Sequence, residues 1–102
     1  MGVVTVMLQE AQELLKAIEQ GNPEAMEAGY HRFREAVQAA WERYQQGVIT
    51  VATRGLPRAM YLWVTEELPL QMRDPDRWPD VRRQLTQFIR TVQWVVEPKE
   101  ET

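Results

Sequence analysis

Apolar residues recur along this chain at intervals of three and four, the pitch of an α-helix, with charged residues between them. Val4, Met7, Leu8, Ala11, Leu14, Leu15 and Ile18 share one side of a helical wheel, and Glu10, Glu13, Lys16 and Gln20 take the other. This pattern predicts a first helix over residues 4–20. Gly21-Asn22-Pro23-Glu24 then supplies a helix terminator, an N-cap, a first-turn proline and an acidic residue at the positive end of a new helix dipole. A link this tight folds the first two helices into an antiparallel hairpin.

Met26, Tyr30, Phe33, Val37, Ala40, Trp41, Tyr44 and Val48 continue the apolar stripe along a second helix. Its end is set by size. A compact domain of this length has a radius of gyration of about 13 Å and a diameter of roughly 34 Å. A helix over residues 23–46 spans about 36 Å and fits, whereas one continued to residue 53 spans about 46 Å and protrudes. Gly47 and the β-branched run Val48-Ile49-Thr50-Val51 oppose the longer form, which would stand only if another chain covered it.

Gly55 and Pro57 open a third helix, expected over residues 57–68 and ended by Pro69. Ala59, Met60, Tyr61, Leu62, Trp63 and Val64 are consecutive in it, so it is expected to be buried all round, centrally or against a partner. After the charged, proline-punctuated segment 73–79, Val81, Leu85, Phe88, Ile89, Val92, Val95 and Val96 mark a fourth helix over residues 79–96. Residues 97–102 read as a frayed polar tail. The expected fold is all-α: one domain over residues 1–102, a small four-helix bundle built on the N-terminal hairpin.

Composition narrows the chemistry. The 102 residues contain no cysteine, which excludes disulfides, thiolate metal sites and cysteine nucleophiles, and no serine, which excludes a serine nucleophile. Neither a glycine-rich phosphate loop nor a paired metal-ligand motif is present, so the expectation is a protein without catalytic activity or cofactor. The start of the chain lacks the basic and long apolar regions of a signal peptide, and no stretch approaches the roughly 18 apolar residues of a membrane span. The cytoplasm is the expected compartment, and no membrane partner is expected.

Glu27, His31 and Glu35 stand at i, i+4 and i+8 on the second helix, near Glu24 and Glu42, a spacing at which carboxylates and an imidazole can share a metal. With one histidine in the chain, a solvated acidic face is the stronger reading. Arg73, Arg77, Arg82, Arg83 and Arg90 suggest phosphate recognition, but Asp74, Asp76 and Asp80 are interleaved with them. Residues 54–102 hold eight basic and eight acidic residues, and the whole chain carries a formal charge of −3, so nucleic acid is not the expected partner.

Arg83, Gln87, Arg90 and Trp94 lie opposite the core stripe of the fourth helix, which puts a tryptophan on the wet face. The ring either lies over the Arg90 stem as a local cation–π contact, packs on a second side of the helix, or meets a protein partner; tryptophan and arginine are the residues enriched at interface hot spots. These four are the candidate partner-binding residues. Met60, Trp63, Val48 and Val51 are the candidates for self-association, because they sit in the all-round apolar helix and the possible overlong extension. The expected function is a protein–protein interaction module, an adaptor, regulatory or assembly factor that forms homo-oligomers. The rivals are a nucleic-acid-binding regulator using the arginines and a metal- or small-molecule-binding bundle.

Overall fold

Three consecutive residues set the first corner of the molecule. The computed structural model describes residues 2–51 and 55–98. Helix α1 (Val3–Gln20) ends at Gly21, whose φ of +66° turns the chain left-handed while its N–H bonds back to the carbonyls of Ala17 and Ile18. The Asn22 side chain accepts hydrogen bonds from the Glu24 and Ala25 N–H groups at 3.1 and 3.3 Å, and Pro23 opens α2 (Pro23–Gln45). The two helices pack antiparallel along their length, and Gly29 of α2 lets its backbone approach Leu14.

The molecule measures 37 × 25 × 19 Å, with a radius of gyration of 13.2 Å. Helix α2 is about as long as the long axis, so it stops where the globule stops. It ends at Gly47, where φ is +79° and the Val48 N–H reaches back to the Arg43 carbonyl at 2.9 Å. As far as residue 51 the continuation is therefore not helical. Residues 52–53 lie outside the described residues; Ile49–Val51 form a strand, β1.

This strand pairs antiparallel with β2 (Val96–Pro98), matching Ile49 with Pro98, Thr50 with Glu97 and Val51 with Val96. The β-branched run thus finds a use that its low helix propensity allows. Residues 97 and 98 are not a frayed tail, because the ladder ties the end of the last helix to the end of α2; residues 99–102 lie outside the described set.

The third helical run, residues 56–72, is longer than expected. It comprises α3 (Leu56–Leu62), one π-turn (Trp63–Glu67) and α4 (Leu68–Met72). Pro69 does not end it. A proline lacks an N–H and its ring crowds the carbonyl four residues back, and here the backbone answers by widening. The Leu68 N–H donates to the Trp63 carbonyl five residues earlier. In that register the Val64 carbonyl would need the N–H that Pro69 lacks, and the Tyr30 hydroxyl donates to it instead at 2.8 Å.

Tyr30→Phe strands that buried carbonyl and costs about 1–3 kcal/mol of unfolding free energy, measurable by urea denaturation. Burial raises the Tyr30 pKa, with Arg34 pulling the other way. The phenol is therefore harder to ionise folded than unfolded. Its stabilising effect is complete below the ordinary tyrosine pKa near 10 and fades as pH rises through the higher folded value. Wild-type stability should fall more steeply above pH 10 than that of the phenylalanine variant.

The last helix, α5 (Trp78–Val95), begins one residue before Pro79 and is led in by a 3₁₀ turn (Pro75–Arg77) that the Asp74 side chain caps through the Asp76 N–H. The Trp78 indole donates to the Met72 carbonyl at 2.9 Å, fastening α4 to α5. Phe33, Leu14, Leu68, Leu85, Val64, Val81 and Val92 are almost wholly shielded from solvent and form the centre of the core. The result is the all-α bundle on an N-terminal hairpin, with a two-stranded clip at one end.

Burial around the third run is one-sided, contrary to the all-round expectation. Val64 and Leu68 are buried, but Ala59 is exposed, Leu62 is 37% exposed and Leu70 is 65% exposed. A π-turn inserts one residue, so every side chain beyond it is rotated by about 100° from the regular wheel.

Candidate functional site

Helix α5 buries Val81, Leu85, Phe88, Ile89 and Val92 against the hairpin and the third run. Its opposite ridge therefore faces solvent. Arg83, Gln87, Arg90 and Trp94 are all exposed on it, and Trp94 is 86% exposed. At that exposure the indole is not laid over the Arg90 stem or packed on a second side. The ring is apolar surface left in water on an otherwise polar ridge.

Beside the ridge runs an open groove of about 460 Å³ between α3 and α5, lined by Leu56, Ala59, Met60, Trp63, Arg83, Gln84, Gln87, Phe88 and Thr91. Two of the residues nominated for self-association, Met60 and Trp63, thus share a surface with two nominated for partner binding, Arg83 and Gln87. The Trp63 indole donates to Gln84 Oε1 at 2.9 Å and its ring lies 5.7 Å from that of Phe88, so it braces α3 against α5 and floors the groove. Trp94 stands on the same helix one turn beyond Thr91. Arg90 lies on the α1 side of the ridge and, with Arg83 and Gln87, also lines a shallow polar cleft between α1 and α5 that holds Leu15, Glu19, Arg82 and Thr86.

Val48 and Val51 lie elsewhere. Val51 belongs to β1 and lines a small apolar crevice of about 30 Å³ with Met7, Trp41, Tyr61 and Val96. Trp41 stacks on Tyr61 (5.3 Å, 15°) and on Tyr44 (5.7 Å, 24°), so these three rings are satisfied within the chain. Val48 is half-buried in the turn before the strand.

The five arginines do not make one basic face. Arg73 edges a cleft between α2 and the end of α4; Arg77 lies beside Asp74 at 3.9 Å; Arg83 pairs with Asp80 at 2.8 Å. Arg82, Arg83 and Arg90 share the polar cleft on α5. Glu27 and His31 edge the same cleft as Arg73, about 360 Å³ and floored by Met26 and Tyr30, while Glu35 does not reach it. Among the described residues no group of three acidic, histidine or cysteine side chains is placed to hold a metal ion.

What the sequence pattern missed is the groove's apolar lining. Phe88 reads as core, Ala59 as part of a helix buried all round, and Leu56 as the linker before it; only the packing of α3 beside α5 leaves a gap over them. Among the described residues no helix is long and apolar enough to cross a membrane. The chain matches no known family model, and comparison with curated proteins and with solved structures finds no significant similarity.

Proposed function

We propose that this protein is a non-catalytic interaction module that binds a protein partner through the exposed ridge of α5 and the groove beside it. The observation that carries this reading is Trp94, an 86% exposed indole at the end of an apolar groove and on the same ridge as Arg83 and Arg90. Leaving that ring in water costs the free protein apolar hydration that a partner would relieve. Groove and ridge are built on packed helices, so the surface is presented preformed, which lowers the entropy lost on binding. Adaptor, regulatory and assembly roles all fit a surface of this kind, in the cytoplasm or elsewhere.

Trp94→Ala is the test. With the ring 86% exposed, the unfolding free energy should change by no more than about 0.5 kcal/mol. Affinity capture with wild-type and variant baits, quantified side by side, should show at least one protein, the chain itself included, that is retained by the first and lost from the second. If every captured protein is indifferent to Trp94, the ridge is not the binding surface and the proposal fails.

A further inference from the structure

Resting on the interaction surface just proposed, we infer that its occupant is a second copy of this chain, docked with the two α5 helices antiparallel across a two-fold axis. Arg83, Gln87, Arg90 and Trp94 are spaced four, three and four residues apart, close to the roughly 3.6-residue turn of an α-helix, so all four share one ridge along which a second helix can lie. The spacing is symmetric about a midpoint between Phe88 and Ile89. In an antiparallel pair with the axis at that midpoint, Arg83 of each chain meets Trp94 of the other, and Gln87 of each meets Arg90 of the other.

Both pairings are chemically complementary. A guanidinium plane lies favourably on an indole face. Asp80 Oδ1 accepts from one nitrogen of Arg83 at 2.8 Å, which partly neutralises that guanidinium and leaves its plane available. Gln87 donates its amide N–H to Thr91 at 3.5 Å, and among the described residues its amide oxygen has no donor, so it is open to an Arg90 N–H. A parallel pair would instead set Arg83 on Arg83, Arg90 on Arg90 and Trp94 on Trp94, placing like charges together. The antiparallel register is the self-complementary one, as an isologous contact requires.

The groove gives Trp94 a destination. Helix geometry puts Trp94 about 16 Å from Arg83 along α5, beyond Thr91 at the end of the groove, so the ring does not enter the groove of its own chain. The antiparallel copy carries its Trp94 to the Arg83 end, beside Trp63 and Gln84. Each chain then fills the other's groove.

Sedimentation equilibrium across a wide concentration range, with thermal melting by circular dichroism as the folding control, tests this. The wild-type chain should show a monomer–dimer equilibrium. Trp94→Ala and Arg83→Ala should each weaken it about tenfold or more, because the contact occurs twice per dimer. Gln87→Glu, which places a carboxylate opposite Arg90 twice, should tighten it. The exchange variant carrying both Arg83→Trp and Trp94→Arg should dimerise more strongly than either substitution alone, because the register restores the pair with its members swapped. A wild type that stays monomeric throughout overturns the inference, while the interaction module survives with another protein as its partner. A dimer indifferent to Trp94, Arg83 and their exchange also overturns it and moves self-association to another face.

Discussion

Replacing Phe33 by alanine should lower the unfolding free energy by about 4 kcal/mol, the largest loss expected from any single truncation in this protein. The ring is wholly buried and sits at the centre of the fold, meeting Phe88 of α5 edge-on at 5.2 Å and 86°. Truncation removes the transfer free energy of the ring, opens a cavity between α2 and α5, and deletes an aromatic pair. The helices around it are fastened at both ends, by the Gly21 corner and the β1–β2 clip, so they have little freedom to collapse into the space. Small domains are stable by roughly 5–15 kcal/mol, so this one substitution removes a large share of the whole margin. Guanidinium titration followed by circular dichroism measures it. A loss under about 1.5 kcal/mol would mean that the α2–α5 contact is looser than described.

Gly29 should respond to two substitutions with opposite signs. A Cβ at this position would sit 3.4 Å from Leu14 Cδ1 and 3.6 Å from Leu14 Cα, an ordinary contact distance. Alanine therefore fits, and it brings up to about 1 kcal/mol of helix propensity over glycine in the middle of α2. Leucine does not fit. Its branch must pass through Leu14, which is itself fully buried, so α1 has to move away from α2 along a packed interface. Overpacking of this kind costs about 1–3 kcal/mol, and the propensity gain does not offset it. Parallel denaturation of both variants checks the pair. If leucine were tolerated as well as alanine, the close approach of the two helices would not be what holds the hairpin at its present spacing.

The surface behaves by different rules. Arg32 meets Glu10 across the hairpin at 3.0 Å, but the pair is exposed and a bond of this type contributes little. Stability resides in the apolar seam, and this separation is what makes the Trp94 and Arg83 variants interpretable. They alter what the protein can meet without altering what it is.

Much of this architecture was determined by residues close together in the chain. Gly21, Asn22 and Pro23 specify a corner through backbone freedom, a side-chain cap and a missing N–H, all within three positions. The stripes of α1, α2 and α5 specify which faces go inward, since a helix repeats its geometry every 3.6 residues wherever it lies. The exposure of Trp94 follows from the same periodicity. Pairing of Ile49–Val51 with Val96–Pro98 does not, because strand partners nearly fifty residues apart are chosen only when the helices between them have packed. The π-turn is a second case. Pro69 announces a break, yet the chain continues because Tyr30, from another helix, supplies the donor that the proline lacks. That one inserted residue shifts the phase of everything up to Met72 and turns Leu70 outward. The groove belongs wholly to the third dimension. Leu56, Met60 and Trp63 lie on the third helical run, and Gln87, Phe88 and Thr91 on α5. Local pattern places each residue on its own cylinder, but the distance between the cylinders is set by the core packed beneath them.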